Sequence, residues 1–127
     1  MEQKTFGELL KELRLRHDIT LRTAARKSDV SAPYFSDIEH DRKPAPARDK
    51  LMRMVKALEL TNEEAIELYE AAGRSQNTIA YDLPDYIMNR DYVSTALRTA
   101  KELGAGKEQW DKFVEELYAN EAKRKDS

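Results

Sequence analysis

The sequence contains no cysteine, and glycine, proline and tryptophan account for only 4, 4 and 1 of its 127 residues. The absence of cysteine excludes a disulfide framework, a cysteine-based zinc site and a thiol nucleophile. The sequence also lacks any apolar run long enough to span a membrane, and its N-terminus has no apolar core of the signal-peptide kind. We therefore expect a cytoplasmic protein that makes no contact with a membrane.

Motifs for catalysis or metal binding are missing as well. The two histidines, His17 and His40, do not have the spacing of a zinc-binding HExxH motif. The chain has no G-x-S-x-G nucleophile motif, no Walker A motif and no glycine-rich phosphate loop. Its many carboxylates fall on helix faces that we expect to be exposed, where solvation accounts for them. We therefore predict that the protein is not an enzyme and that it uses no cofactor or metal.

The charges are distributed unevenly along the chain, although the net charge is only -2. Residues 1–58 contain 13 Lys and Arg against 9 Asp and Glu, whereas residues 59–127 contain 9 against 15. The front half therefore carries +4 and the back half −6. This asymmetry fits either an anion-binding module joined to another element or a chance segregation of surface charge.

Apolar residues recur at i, i+3, i+4 and i+7 through most of the chain, which is the spacing of an amphipathic helix. Residues typical of helix starts and ends separate these segments: Thr20, Ser31 and Thr61 as N-caps, Pro46 as a first helical residue, and Gly73 and Gly104 as terminators. We predict an all-α protein with five helices in residues 1–73, an ordered connector over residues 74–90 and a helical extension over residues 91–127.

Two short predicted helices with a tight turn between them are the most informative feature, over Thr20–Ser28 and Ser31–Asp41. At about 100° per residue, the second helix buries Phe35 and Ile38. Its outward face is small and polar, and consists of Ala32, Pro33, Ser36, Asp37 and His40. Such a face lets a helix enter a groove about 12 Å wide. In a helix-turn-helix, the second helix lies in the DNA major groove and the first crosses the backbone.

The stretch Thr20–Glu39 (TLRTAARKSDVSAPYFSDIE), followed by a proline-containing loop and MRMVKALEL, resembles the lambda-repressor-like, Xre-type helix-turn-helix family of transcriptional regulators. The resemblance covers about Phe6–Gly73, and the remainder is similar to a helical extension carried by a subset of these bacterial and phage regulators. It implies a sequence-specific regulator of double-stranded DNA, usually a repressor, that acts as a homodimer with Ser31–Asp41 in the major groove.

The resemblance also implies roles for single residues. Together with the helical projection, it assigns the DNA groove face to Ser31, Ala32, Pro33, Ser36, Asp37 and His40. Phosphate contacts are expected from Thr20, Leu21, Arg22, Tyr34, Arg42, Lys43 and Arg48, with Arg26, Lys27 and Lys50 nearby. Arg14 and Glu39 match an ion pair that joins the first helix to the recognition helix. On the groove face, we expect Asp37 to select a base by accepting a hydrogen bond from cytosine N4.

Three positions depart from the common pattern of the family. Leu21 stands where many members have a glutamine, whose amide can bond a phosphate oxygen. Asp29 and Asp41 stand at helix ends where glycine is common. Because aspartate tolerates the left-handed backbone conformation better than most residues, we expect the fold to accommodate both.

The C-terminal extension carries an apolar stripe formed by Val93, Leu97, Trp110, Phe113, Val114, Leu117 and Tyr118. This stripe is either a dimer interface or a part of the core of one subunit, and for Trp110 and Phe113 individually we expect packing within the subunit. A further alternative is a regulator such as an antitoxin, whose acidic back half binds a basic partner protein.

Overall fold

The computed structural model describes residues 3–126, which form eight helices and no strand. The helices are α1 (Phe6–Arg16), α2 (Leu21–Lys27), α3 (Ala32–Glu39), α4 (Arg48–Ala57), α5 (Asn62–Ser75), α6 (Pro84–Ile87), α7 (Asp91–Leu103) and α8 (Lys107–Asp126). The predicted all-α class is therefore confirmed. The chain divides into two compact units, Met1–Tyr86 and Ile87–Ser127.

The first helices begin where the sequence supplies a hydroxyl. Thr20 accepts a hydrogen bond from the Thr23 N–H at 3.2 Å, and Ser31 accepts one from the Tyr34 N–H at 3.2 Å. Such bonds satisfy N–H groups that have no partner within the helix. The prediction that Pro46 opens the fourth helix is wrong, because the next residue, Ala47, keeps an extended backbone and α4 begins after it.

The first five helices end on a residue with a left-handed backbone that is not glycine. These residues are Asp18, Asp29, Asp41, Glu59 and Asn77, with φ between 53° and 59°. After each one, the next N–H bonds back to a carbonyl five residues earlier, as from Arg42 to Asp37 at 2.8 Å. This is the Schellman arrangement, which satisfies carbonyls at the helix end. It closes helices in a chain with only 4 glycines.

The core of the first unit is assembled from one face of each of its longer helices. Its fully buried side chains include Leu10, Leu13, Phe35, Ile38, Leu51, Met54, Leu58 and Leu68. Helix α1 packs against α3 and α5, and α2 packs against α3 and α4. The inward residues of α2 are Ala24 and Ala25, both buried, and their small size lets neighbouring helices approach closely.

The start of α1 is held against the end of α3. A Cβ atom at Gly7 would lie 2.4 Å from the Ile38 carbonyl oxygen and 2.6 Å from that of Glu39, so no larger residue fits there without a shift of backbone. The Asp41 carboxylate accepts hydrogen bonds from the Gly7 N–H at 3.0 Å and from the Thr5 hydroxyl at 2.5 Å. The turn after the recognition helix is thereby fixed to the first helix.

Gly73 does not end a helix, contrary to the sequence prediction. Helix α5 continues to Ser75, and a Cβ atom at Gly73 would lie 2.6 Å from the Ile79 carbonyl oxygen. Gly73 therefore allows the returning chain to cross the helix closely. Ala80 is buried and Tyr81 packs partly against the core. The compact unit thus runs beyond residue 73, while the functional boundaries at residues 73 and 90 remain predictions.

A polar network joins α1 to the start of α5. Thr61 and Glu64 form the predicted capping box, and Glu64 also accepts hydrogen bonds from His17 Nε2 at 2.8 Å and from Arg16 at 3.0 Å. The bond from the Thr61 backbone, followed by the bond from His17, lowers the pKa of Glu64 to about 2. The carboxylate is therefore ionised under ordinary conditions, when it links the two helices.

The second unit consists mainly of α7 and α8. Gly104, with φ of 72°, terminates α7 as predicted, and the Gln109 side chain accepts a hydrogen bond from the Gly106 N–H at 2.9 Å. None of residues 91–125 is buried. Trp110 and Phe113 meet edge to face with ring centroids 6.2 Å apart, yet they are 39% and 50% exposed. Within this unit, α7 and α8 therefore do not enclose these two rings.

Candidate nucleic-acid interface

The turn between α2 and α3 is short and well closed. Ser28 caps the end of α2, Asp29 takes the left-handed conformation, and the Val30 N–H bonds to the Ala25 carbonyl at 3.0 Å. Val30 packs partly against the core, and Ser31 then caps α3. The apolar contact of Val30 and the backbone bonds together set the direction in which α3 leaves the turn.

Helix α3 separates its apolar residues from its polar ones. Phe35, Ile38 and Glu39 are buried, as the helical projection indicates. The residues on the other side are exposed or half-buried: Ser31, Ala32, Pro33, Ser36, Asp37 and His40. Ala32 also packs partly against the core. Apart from Ser31, which caps the start of α3, the polar side chains of the outward face (Ser36, Asp37 and His40) lie toward the C-terminal end of the helix.

The buried Glu39 is satisfied by Arg14 of α1. The Arg14 Nε and Nη2 atoms donate to the two carboxylate oxygens at 2.6 Å and 3.1 Å, and Nη1 donates to the Ile19 carbonyl at 2.9 Å. Both residues are buried. A bidentate pair of this kind fixes orientation as well as distance. It links the last residue of α3 to the first helix.

The exposed ring of His40 lies on the outward face, where Nδ1 contacts Ser36. Its Nδ1 atom lies 2.8 Å from the Ser36 carbonyl oxygen. Since a carbonyl only accepts, Nδ1 must carry the proton, and the neutral ring then has Nε2 as an acceptor. An acceptor at this position can pair with an exocyclic amino group at a base edge.

Two lysines converge on Tyr34 beside this face. The ammonium of Lys50 lies 4.5 Å from the centre of the tyrosine ring, and that of Lys43 lies 5.4 Å from it. Lys50 also lies 3.5 Å from the Tyr34 hydroxyl. The sequence points to Tyr34 and Lys43 as phosphate contacts, whereas Lys50 stood only among the nearby basic residues. Tyr34, Lys43 and Lys50 thus form one group of hydrogen-bond donors, which we call the Tyr34 cluster.

Two of the other arginines are paired with carboxylates of the same chain. The Arg42 Nε atom donates to Asp37 Oδ1 at 3.0 Å. Arg48, at the start of α4, donates to both oxygens of Asp85 in α6, one of them at 2.7 Å. The sequence offered no signal for the second pair, because its members are 37 positions apart.

The start of α2 offers both side-chain and backbone donors. Thr20 is exposed and Arg22 is exposed, but Leu21 is half-buried and packs partly against the core. An apolar side chain cannot bond a phosphate oxygen. The Thr23 N–H is already bonded to Thr20, so the donors that this end of α2 can offer to an anion are the Thr20 and Arg22 side chains and the N–H groups of Leu21 and Arg22.

Two helices joined by a tight turn, the second of them with a small polar face beside clustered cations, define a helix-turn-helix DNA-binding domain. A family model described as a helix-turn-helix domain matches residues 5–68, half of the 127-residue chain. The chain belongs to this helix-turn-helix domain family. Membership of this family makes the chain a DNA-binding protein of the transcriptional-regulator class.

The solved structures that are similar to the chain include the following two. The clp gene regulator ClgR from C. glutamicum is 30% identical, with a TM-score of 0.45 over 54% of this chain and 86% of that chain. A chain of the SinR protein/SinI protein complex is 18% identical, with a TM-score of 0.48 over 93% of this chain and 99% of that chain. No curated protein matches the sequence. Among residues 3–126, no helix is long and apolar enough to cross a membrane.

Proposed function

We propose that this protein is a repressor that binds a specific site in double-stranded DNA, with α3 in the major groove. The observation that carries the proposal is the outward face of α3, whose small side chains stand beside the Tyr34 cluster. A helix with such a face can lie deep in the groove while the neighbouring cations meet phosphates. A DNA target also fits a cytoplasmic location for a bacterial or phage regulator.

The residues of the proposed interface fall into two groups. The groove-facing residues are Ser31, Ala32, Pro33, Ser36, Asp37 and His40. The phosphate-facing residues are Thr20, Leu21 through its backbone, Arg22, Tyr34, Arg42, Lys43 and Arg48, and we add Lys50 because its ammonium lies 4.5 Å from the centre of the Tyr34 ring. Few of the groove-facing side chains can hydrogen-bond a base, so part of the specificity would come from the shape and deformability of the DNA.

The experiment that tests this function is a selection of binding sites from random double-stranded DNA. We expect the protein to enrich a short motif with two half-sites about one helical turn apart, because dimers of this class place one recognition helix in each. Repression is then measured with a reporter whose promoter contains the selected motif. Failure to enrich any sequence would contradict the proposal, and activation of the reporter would contradict the repressor role.

Replacing Arg42 and Lys43 together by alanine should weaken binding to every DNA sequence. Each lost phosphate contact lowers the slope of log affinity against log salt by about 1, so the slope should fall by about 2. The measurement is a salt titration of binding to the selected site and to unrelated DNA. The matched control replaces Lys56 and Lys101, two exposed lysines outside the α3 face, and its slope should equal that of the wild type. An unchanged slope in the Arg42 and Lys43 variant would rule out their phosphate role.

The apolar stripe of the second unit is the proposed dimer interface. Its exposed members are Leu97, Trp110, Phe113, Val114, Leu117 and Tyr118, and Val93 is half-exposed. An exposed cluster of large apolar side chains is typical of an interaction site. A second copy is the occupant that the two-fold symmetry of most helix-turn-helix operators requires.

Replacing Leu117 by glutamate should convert the dimer to a monomer. A carboxylate in the centre of the stripe would lose its hydration on association without gaining a partner. Ala119 lies on the opposite face of α8 and is exposed, so Ala119→Glu adds the same charge outside the stripe and should leave the dimer intact. Light scattering measures the molar mass in solution. A wild-type mass of 14.7 kDa, the mass of one chain, would contradict the dimer.

The same exposed stripe favours one alternative, a regulator whose second unit binds a different protein. Residues 59–127 carry a net charge of −6, which suits a basic partner such as a toxin neutralised by an antitoxin. A monomeric wild type that forms a stable complex with one basic protein, and loses it on Leu117→Glu, would favour this alternative over the homodimer.

A further inference from the structure

We infer that Asp37 is a positioning residue that aims Arg42 at the DNA backbone and does not read a base itself. This inference rests on the proposed function, since it assigns a role within the DNA interface. It differs from the expectation drawn from the sequence, in which the Asp37 carboxylate accepts a hydrogen bond from cytosine. The two roles predict different effects of the same substitution.

The geometry of the pair leaves the outer end of the guanidinium available. Arg42 binds the carboxylate through Nε, at 3.0 Å from Asp37 Oδ1, so the N–H groups at the Nη1 end of the guanidinium point away from the bond. The Arg42 side chain is 59% exposed, whereas that of Asp37 is 31% exposed. The carboxylate therefore lies nearer to the protein and the guanidinium nearer to solvent. Phosphate contacts in DNA complexes use such outward, planar N–H pairs.

The backbone of the two residues is held in place by bonds that do not depend on DNA. The Asp37 carbonyl accepts from the Arg42 N–H at 2.8 Å and from the Lys43 N–H at 3.3 Å. Asp41, between them, has a left-handed backbone with φ of 58°. Its carboxylate is bonded to the Gly7 N–H, where the close approach of α1 leaves no room for a side chain. Asp37 and Arg42 therefore start from fixed Cα positions.

An exposed ion pair of this kind adds little to folding stability. Its effect lies in the side chain of arginine, which has many rotamers and must be ordered when it binds a phosphate. Because the Asp37 carboxylate already holds Nε, the Arg42 side chain has fewer rotamers available before it binds DNA. The Arg42 guanidinium also offsets the negative charge of the Asp37 carboxylate at short range, which explains how an acid can stand on a face that approaches DNA.

The test measures binding to the selected site and to sites altered at each base pair, for the wild type, Asp37→Ala, Arg42→Ala and the double variant. We expect Asp37→Ala to weaken binding roughly threefold to tenfold at every site, which corresponds to ordering one flexible side chain. The double variant should bind no more weakly than Arg42→Ala alone, because Asp37 acts only through Arg42. Asp37→Asn, which retains an acceptor oxygen, should recover part of the loss.

Other results overturn the inference. A changed preference at one base pair in Asp37→Ala would mean that the carboxylate reads a base. Tighter binding to all DNA would mean that it only repels phosphates, and an additive loss in the double variant would mean that the two residues act separately. Melting curves equal to that of the wild type exclude a folding effect. Wild-type protein that selects no DNA sequence would instead defeat the proposed function itself.

Discussion

Replacing Phe35 by alanine is expected to lower the free energy of unfolding of the first unit by about 3–5 kcal/mol. The Phe35 side chain is fully buried, and it attaches α3 to the core from the face opposite the proposed DNA contact. Its removal leaves a cavity in the core. It also loses the free energy gained when the phenyl ring moves from water into the core. Because domains are stable by only about 5–15 kcal/mol, this is a large share of the total.

The measurement has to report on the first unit. Trp110 is the only tryptophan and lies in α8, so its fluorescence follows the second unit. Far-UV circular dichroism, with hydrogen exchange of the amides of α1 and α3, is the suitable readout. Leu15, which is 54% exposed on α1, gives the control: Leu15→Ala should change stability by less than about 0.5 kcal/mol. A Phe35→Ala protein with the melting temperature of the wild type would mean that α3 turns its Phe35 face away from the core.

Breaking the buried ion pair should have the second large effect. Replacing either Glu39 or Arg14 by methionine is expected to cost about 3–5 kcal/mol, because each leaves an uncompensated buried charge. The loss arises from the pair's burial and from its two hydrogen bonds, at 2.6 Å and 3.1 Å. The pair joins α3 to α1, so the same variants should also loosen the orientation of the recognition helix.

A double variant separates the charge from the packing. With Arg14→Met and Glu39→Met together, no charge is left buried, so the loss should be well below the sum of the single losses. A remainder of about 1–3 kcal/mol is expected, since the Ile19 carbonyl loses the bond from Arg14. Thermal and urea unfolding provide the measurement. The half-exposed carboxylate of Glu12, which forms surface ion pairs with Lys4 and Arg16, serves as control, and its replacement by alanine should hardly move the curve. Additive single losses would contradict the coupling.

These predictions of stability and those of DNA binding are separable in experiment. The Phe35 and Glu39 variants should lose DNA binding together with structure. The Arg42 and Lys43 variants should keep the wild-type melting curve and lose affinity alone, because both side chains are exposed. A variant that loses both properties therefore reports on the placement of α3, and one that loses only affinity reports on the contacts with DNA.

Local features of the sequence determined the helices, the caps and the faces of α3. Thr20, Ser31 and Thr61 cap helices because a hydroxyl needs only the next turn of the same chain to find its N–H donors. The inward placement of Phe35 and Ile38 followed from a period of about 3.6 residues. The helix-turn-helix class followed in turn, because its turn and its two short helices are contiguous in the chain.

Contacts between distant segments could be decided only by the tertiary structure. Gly73 looked like a helix end, but its missing side chain makes room for Ile79. Nothing local indicates that Asp85 binds Arg48, or that Trp110 and Phe113 stay exposed. A helical period specifies which face of a helix is apolar, and the path of the chain decides what, if anything, covers that face. For this protein, the sequence therefore determined the recognition helix and the class of DNA-binding domain. The tertiary structure decided which charged side chains near that helix are already paired within the chain.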